Sequence, residues 1–93
     1  MEKIKKNREQ ILAIAARHGA GHIRVFGSVI RHEDGPDSDI DLLVEMAPDH
    51  DLFDMIALSR ELGVLLHQKT DVVSDEELSP YLRERILLEA VTV

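Results

Sequence analysis

Apolar and polar positions along the chain change period several times, and each change marks an element. Ile4, Ile11, Leu12, Ile14 and Ala15 recur at helical spacing, predicting one helix from about Glu2 to His18 that ends at Gly19 and Gly21. His22 to Phe26 alternates as a short strand, with Ile23 and Val25 on one face and Arg24 and Phe26 on the other. From Asp39 to Met46 the alternation is cleaner. Ile40, Leu42, Val44 and Met46 share one parity, and Asp39, Asp41, Leu43 and Glu45 share the other. Asp51 is a suitable N-cap for a helix bearing Leu52, Phe53, Met55, Ile56, Leu58 and Leu62, which stops at Gly63 or runs on to Leu66. A third strand covers Gln68 to Val73. Ser74 and Glu77 have capping-box spacing, and Ser79-Pro80 opens a last helix running to about Glu89. Ala90 to Val93 is left to add a short strand or to dock on a partner.

Strands separated by helical segments predict an α/β (α+β) layer, a small mixed β-sheet with helices packed on one face. The acid-bearing face of the sheet would then stay relatively open. If the second and third strands are neighbours, Asp71 stands beside Asp39 and Asp41.

The chemistry concentrates between Val25 and Val44. Asp39 and Asp41 point the same way, with Cα atoms roughly 6.5 to 7 Å apart, so their carboxylates can converge on a shared cation. Unneutralised, two such charges raise each other's pKa. Mg²⁺ takes hard oxygen ligands of this type and keeps positions for substrate phosphates. Upstream, Gly27 lets the backbone approach a ligand closely, and Ser28 is a good N-cap for a short helix through Arg31. Amides at such a turn attract phosphate oxygens, and Arg31 would add a charge-assisted bond.

Composition narrows the alternatives. Ninety-three residues are expected to form one domain, spanning residues 1–93, with a modest core. Cysteine is absent, which excludes a disulfide framework and thiolate metal sites. No signal-peptide pattern and no long apolar run is visible, so a cytoplasmic protein is expected. A net charge of −7 argues against nonspecific nucleic-acid binding, although the basic residues Lys3, Lys5, Lys6 and Arg8 cluster on what reads as a solvated helix face. The run Asp37-Ser38-Asp39-Ile40-Asp41 is not an EF-hand, because Leu42 and Pro48 hold the positions that need Gly and Glu. His18, His22, His32, His50 and His67 suit surface or capping roles rather than zinc ligation, Ser28 has no histidine base, and Phe26, Phe53 and Tyr81 are too scattered to stack bases.

Gly27-Ser28, ten intervening residues and Asp39-Ile40-Asp41 together resemble the signature of the DNA polymerase beta-like nucleotidyltransferase superfamily. Leu52-Phe53-Asp54, Lys69 to Val73, and Tyr81 to Ile86 extend the likeness to the minimal nucleotidyltransferase (MNT) proteins, over nearly the whole chain. The resemblance implies the nucleotidyltransferase fold and a Mg²⁺-dependent enzyme moving AMP from ATP to a hydroxyl. A tyrosine of a HEPN-domain toxin is the implied acceptor, with this chain as antitoxin of the pair. By position, Gly27, Ser28 and Arg31 would hold the triphosphate, Asp39 and Asp41 would bind two Mg²⁺ ions, and Asp71 would be the third carboxylate, contacting one metal and helping to activate the hydroxyl. His32 departs from the family, which commonly has glycine or another small residue there. Two rival readings are a non-catalytic antitoxin that masks its toxin by stoichiometric binding, and nucleotidyl transfer to RNA or a small molecule.

Overall fold

The computed structural model describes residues 2–30 and 38–93. In chain order the elements are α1 (Glu2–Lys6), α2 (Arg8–Arg17), β1 (Ala20–Phe26), a 3₁₀ turn (Gly27–Val29), β2 (Ile40–Met46), α3 (Leu52–Leu66), β3 (Thr70–Ser74), a second 3₁₀ turn (Asp75–Glu77), α4 (Pro80–Glu89) and β4 (Val91–Thr92). The strands form one four-stranded sheet in the order β3-β2-β1-β4. β1 runs antiparallel to both β2 and β4, and β2 runs parallel to β3, so the sheet is mixed as expected. A parallel pair needs a crossover connection, and α3 supplies it.

The inward parities of β1 and β2 fall in the core. Ile23 and Val25 of β1 and Ile40, Leu42 and Val44 of β2 are buried with Leu58, Leu62 and Leu66 of α3 and with Ile4, Ile11 and Ala15 of α1 and α2. Leu58, Leu62 and Leu66 recur every fourth residue and lie against the sheet as one stripe. Each leucine so buried contributes about 1.5–3 kcal/mol.

Several local expectations are refined. The N-terminal helix is two segments meeting at Asn7, whose side-chain amide donates to the Lys3 carbonyl oxygen at 2.8 Å beside its own backbone N–H at 3.2 Å. α3 passes through Gly63 and ends at His67, which takes a left-handed conformation at φ 52°. Asp51 caps α3 as expected, accepting from the Phe53 and Asp54 amides, and Asp54 completes a capping box. Ser74 and Glu77 make no capping box. The Ser74 hydroxyl instead donates to the Glu77 carboxylate at 3.3 Å, ahead of a single 3₁₀ turn. Ser79 caps α4, with Pro80 at its first position. The C-terminal residues do add a strand, pairing Arg24 with Thr92 and Val25 with Val91 at the β1 edge.

Candidate active site

Sheet register builds the site. Asp41 of β2 has Phe26 of β1 as its partner on one side and Asp71 of β3 on the other. Directly opposed residues share a face, with strands roughly 4.8 Å apart. Asp41 and Asp71 are therefore neighbours on the face opposite the core, the placement expected if the two strands are adjacent. Asp39 lies one pleat before Asp41, half-exposed, with its carboxylate 3.5 Å from Lys69 Nζ. Lys69 precedes β3, so a parallel pairing sets this cation beside the acid and offsets part of the repulsion within the cluster.

Gly27 meets Asp41 from above. Its φ of +79° suits glycine, and a Cβ there would lie 2.4 Å from Asp41 Oδ2. The close backbone approach inferred from the sequence is made first to this carboxylate. Ser28 sits inside the 3₁₀ turn and is not its cap: Phe26, still extended at φ −142°, is the capping residue, and the chain turns at Gly27. Arg31 and His32 lie outside the described residues.

Two cavities open on the carboxylate row, and Asp41 lines both. One, about 580 Å³, runs between β3 and α3, walled by Leu52, Met55 and Ile56 and reaching Asp71, Ser59 and Arg60. The other, about 320 Å³, lies between Gly27 and α4, with Leu82, Arg85, Ile86 and Glu89 on the helical side. Beyond this row the face is closed. Leu43 is fully buried although it shares the parity of Asp41. Arg24, on the same face, has a 10% exposed side chain that lies 3.4 Å from Asp75 and 3.8 Å from Glu45, and Arg83 of α4 reaches the same Asp75 at 3.7 Å. This ion cluster holds the start of α4 near the sheet.

Sequence reasoning missed what α4 contributes. Glu89 accepts a hydrogen bond from the Gly27 amide at 2.9 Å. Arg85 and Glu89, four residues apart, face the same cavity. That spacing was visible in the sequence, but nothing local said which surface the helix would meet.

Among the described residues no three carboxylate or imidazole groups are gathered as a ready-made metal cage. Asp39, Asp41 and Asp71 nonetheless fit a divalent ion of the Mg²⁺ type. They are hard oxygen donors, two of them opposed in register, and such ions are commonly held by one or two carboxylates together with substrate phosphates. Among the described residues no helix is long and apolar enough to cross a membrane.

Comparison with known proteins bears on the family and the fold. The family model of polymerase beta nucleotidyltransferases matches residues 9–93. A candidate protein adenylyltransferase of Methanocaldococcus jannaschii is 38% identical over 90 residues, covering 97% of each chain. The solved structure of a candidate minimal nucleotidyltransferase superposes with a TM-score of 0.89 at 44% identity, covering 99% of this chain and 94% of the other. A chain from the complex of tri-AMPylated Shewanella oneidensis HEPN toxin with MNT antitoxin shares the fold, with a TM-score of 0.72 at 21% identity over 95% of this chain and 69% of its own.

Proposed function

The chain belongs to the polymerase beta nucleotidyltransferase family and is a nucleotidyltransferase; from that premise we propose that it transfers AMP from ATP to a tyrosine hydroxyl of a HEPN toxin, as the antitoxin of the pair. The observation that carries this reading is Asp41 standing between two cavities. In-line displacement at phosphorus needs the attacking and leaving oxygens on opposite sides of the reacting atom. The Gly27 side offers a backbone amide and the Arg85 cation to an anionic triphosphate. The Asp71 side offers apolar walls ending on a carboxylate, a fit for an aromatic ring with a hydroxyl at its tip. Each half of the reaction thus has its own surface.

Asp39, Asp41 and Asp71 would hold two Mg²⁺ ions, which when bound neutralise phosphate charge and favour the deprotonated acceptor. Gly27 and Ser28, with Arg31, would position the triphosphate. Asp71 takes the acceptor proton as the new oxygen–phosphorus bond forms at the α-phosphate and pyrophosphate departs. No covalent enzyme intermediate is required, in keeping with a site that presents carboxylates and backbone. Protein adenylyl transfer draws support from the name of the M. jannaschii relative, and the HEPN partner from the Shewanella complex.

The test is transfer of α-labelled phosphate from ATP, with Mg²⁺, to a HEPN-domain protein encoded beside this chain. Label should appear on the partner with the wild type and vanish with Asp39→Asn. Full toxin neutralisation by Asp39→Asn without any transfer would replace catalysis by stoichiometric masking. Label on RNA and none on the partner would move the acceptor to nucleic acid.

A further inference from the structure

The last turn of α4 puts an anion on the amide that the proposed function assigns to the nucleotide. Glu89 Oε1 lies 2.9 Å from the Gly27 nitrogen, a charge-assisted bond to a part-buried donor. A phosphate oxygen makes the same demand on that donor, and a single N–H cannot serve two anions at full strength. Glu89 also lines the smaller cavity beside Asp41, so a triphosphate entering there meets a carboxylate already in place.

The rest of α4 is built to let go. No residue of the helix is buried. It is held at its start by the Arg83–Asp75 ion pair at 3.7 Å and continues into a two-residue edge strand. Elements with few buried apolar contacts open at low cost in free energy. We propose that Glu89 is a resident competitor for the phosphate position, so that α4 closes the nucleotide side of the site until Mg²⁺-nucleotide displaces its carboxylate. Glu89 would thereby set the nucleotide concentration at which the enzyme loads. This inference rests on the reading that the triphosphate binds at Gly27.

The experiment is equilibrium binding of AMP-PNP with Mg²⁺ to the full chain, in the wild type, Glu89→Ala and Glu89→Gln. If nine in ten wild-type molecules hold the carboxylate on the amide, Glu89→Ala should bind about tenfold tighter, because apparent affinity falls with the competent fraction. Glu89→Gln keeps the shape and a neutral acceptor, so it should gain less in the same direction, and it guards against Glu89→Ala failing to fold. In the wild type, AMP-PNP should speed amide hydrogen exchange across 80–92. Measurable wild-type binding with equal or weaker binding by both variants would overturn the inference and mark Glu89 as a structural tie. Absence of binding by all three proteins would overturn the nucleotide reading itself, and this inference with it.

Discussion

Replacing Gly27 with alanine is the sharpest single test of how the site is built. The new Cβ would sit 2.4 Å from Asp41 Oδ2 and 3.2 Å from its Cγ, well inside contact distance, at a φ of +79°. The backbone alone opposes the change by roughly 1–2 kcal/mol, the cost of a left-handed conformation for a residue with a Cβ. Asp41 cannot simply absorb the clash, because it is only partly exposed and has Phe26 and Asp71 as neighbours in register. Its carboxylate must move, by something on the order of an ångström. A displacement of that size at a reacting centre costs about a hundredfold in rate. Gly27→Ala should therefore lose about 1–3 kcal/mol in urea unfolding, backbone strain included, and about a hundredfold in kcat/KM for AMP transfer. Gly21→Ala is the control, since a Cβ there meets nothing within 4 Å. It should leave transfer unchanged. Gly27→Ala activity within about threefold of wild type would refute the claim that this glycine seats Asp41.

Asp71→Asn should lower AMP transfer, read as label on the partner, by about a hundredfold to ten-thousandfold, the usual range for removing a general base. Asp51→Ala removes the side-chain acceptor for the Phe53 and Asp54 amides at 3.0 and 3.3 Å and should cost about 1 kcal/mol in a denaturant melt. Acid should weaken the same cap. The Asp51 backbone amide, chiefly, and then His50 hold the Asp54 carboxyl below its ordinary value, partly opposed by desolvation. A depressed folded-state pKa stabilises the fold above the unfolded value, and that contribution disappears as pH falls through the folded one. Melting temperatures recorded from about pH 5 down to pH 2 should therefore fall less steeply for Asp54→Asn than for the wild type.

Much of the fold was legible because it rests on local and periodic signals. The alternation from Ile40 to Met46 assigned the inward face of β2 correctly, and Asp51 and Ser79 announced their helices through caps that form as read. The carboxylate row was legible for the same reason, since parity fixes which side Asp39 and Asp41 take. What the sequence did not reveal depends on contacts between distant segments. Arg24 looked like an ordinary outward strand residue, yet it is 8% exposed and lies against Asp75, fifty-one positions away. Glu89 lies sixty-two positions from Gly27 and joins the site through the bond its carboxylate accepts from the Gly27 amide. The break at Asn7 is a subtler case, because the apolar period of Ile4 and Ile11 continues on both sides of it.

The same register that builds the core also builds the site. Asp41 opposes Asp71 because Ile40 pairs with Thr70 and Leu42 with Val72, two pairs whose side chains face inward. A slip of one residue between β2 and β3 would reverse every side chain of β3, driving Asp71 into the apolar layer and turning Val72 out. Thr70, at 3% exposure, is held by its own hydroxyl bond to the Gln68 carbonyl oxygen at 3.0 Å, and the Ser59 hydroxyl of α3 donates to the Thr70 carbonyl oxygen. These bonds tie the start of β3 to the crossover helix and oppose such a slip. Substitutions at Ser59 or Thr70, neither of them among the three acids, should thus weaken folding and catalysis together, whereas changes on the acid face itself should separate the two.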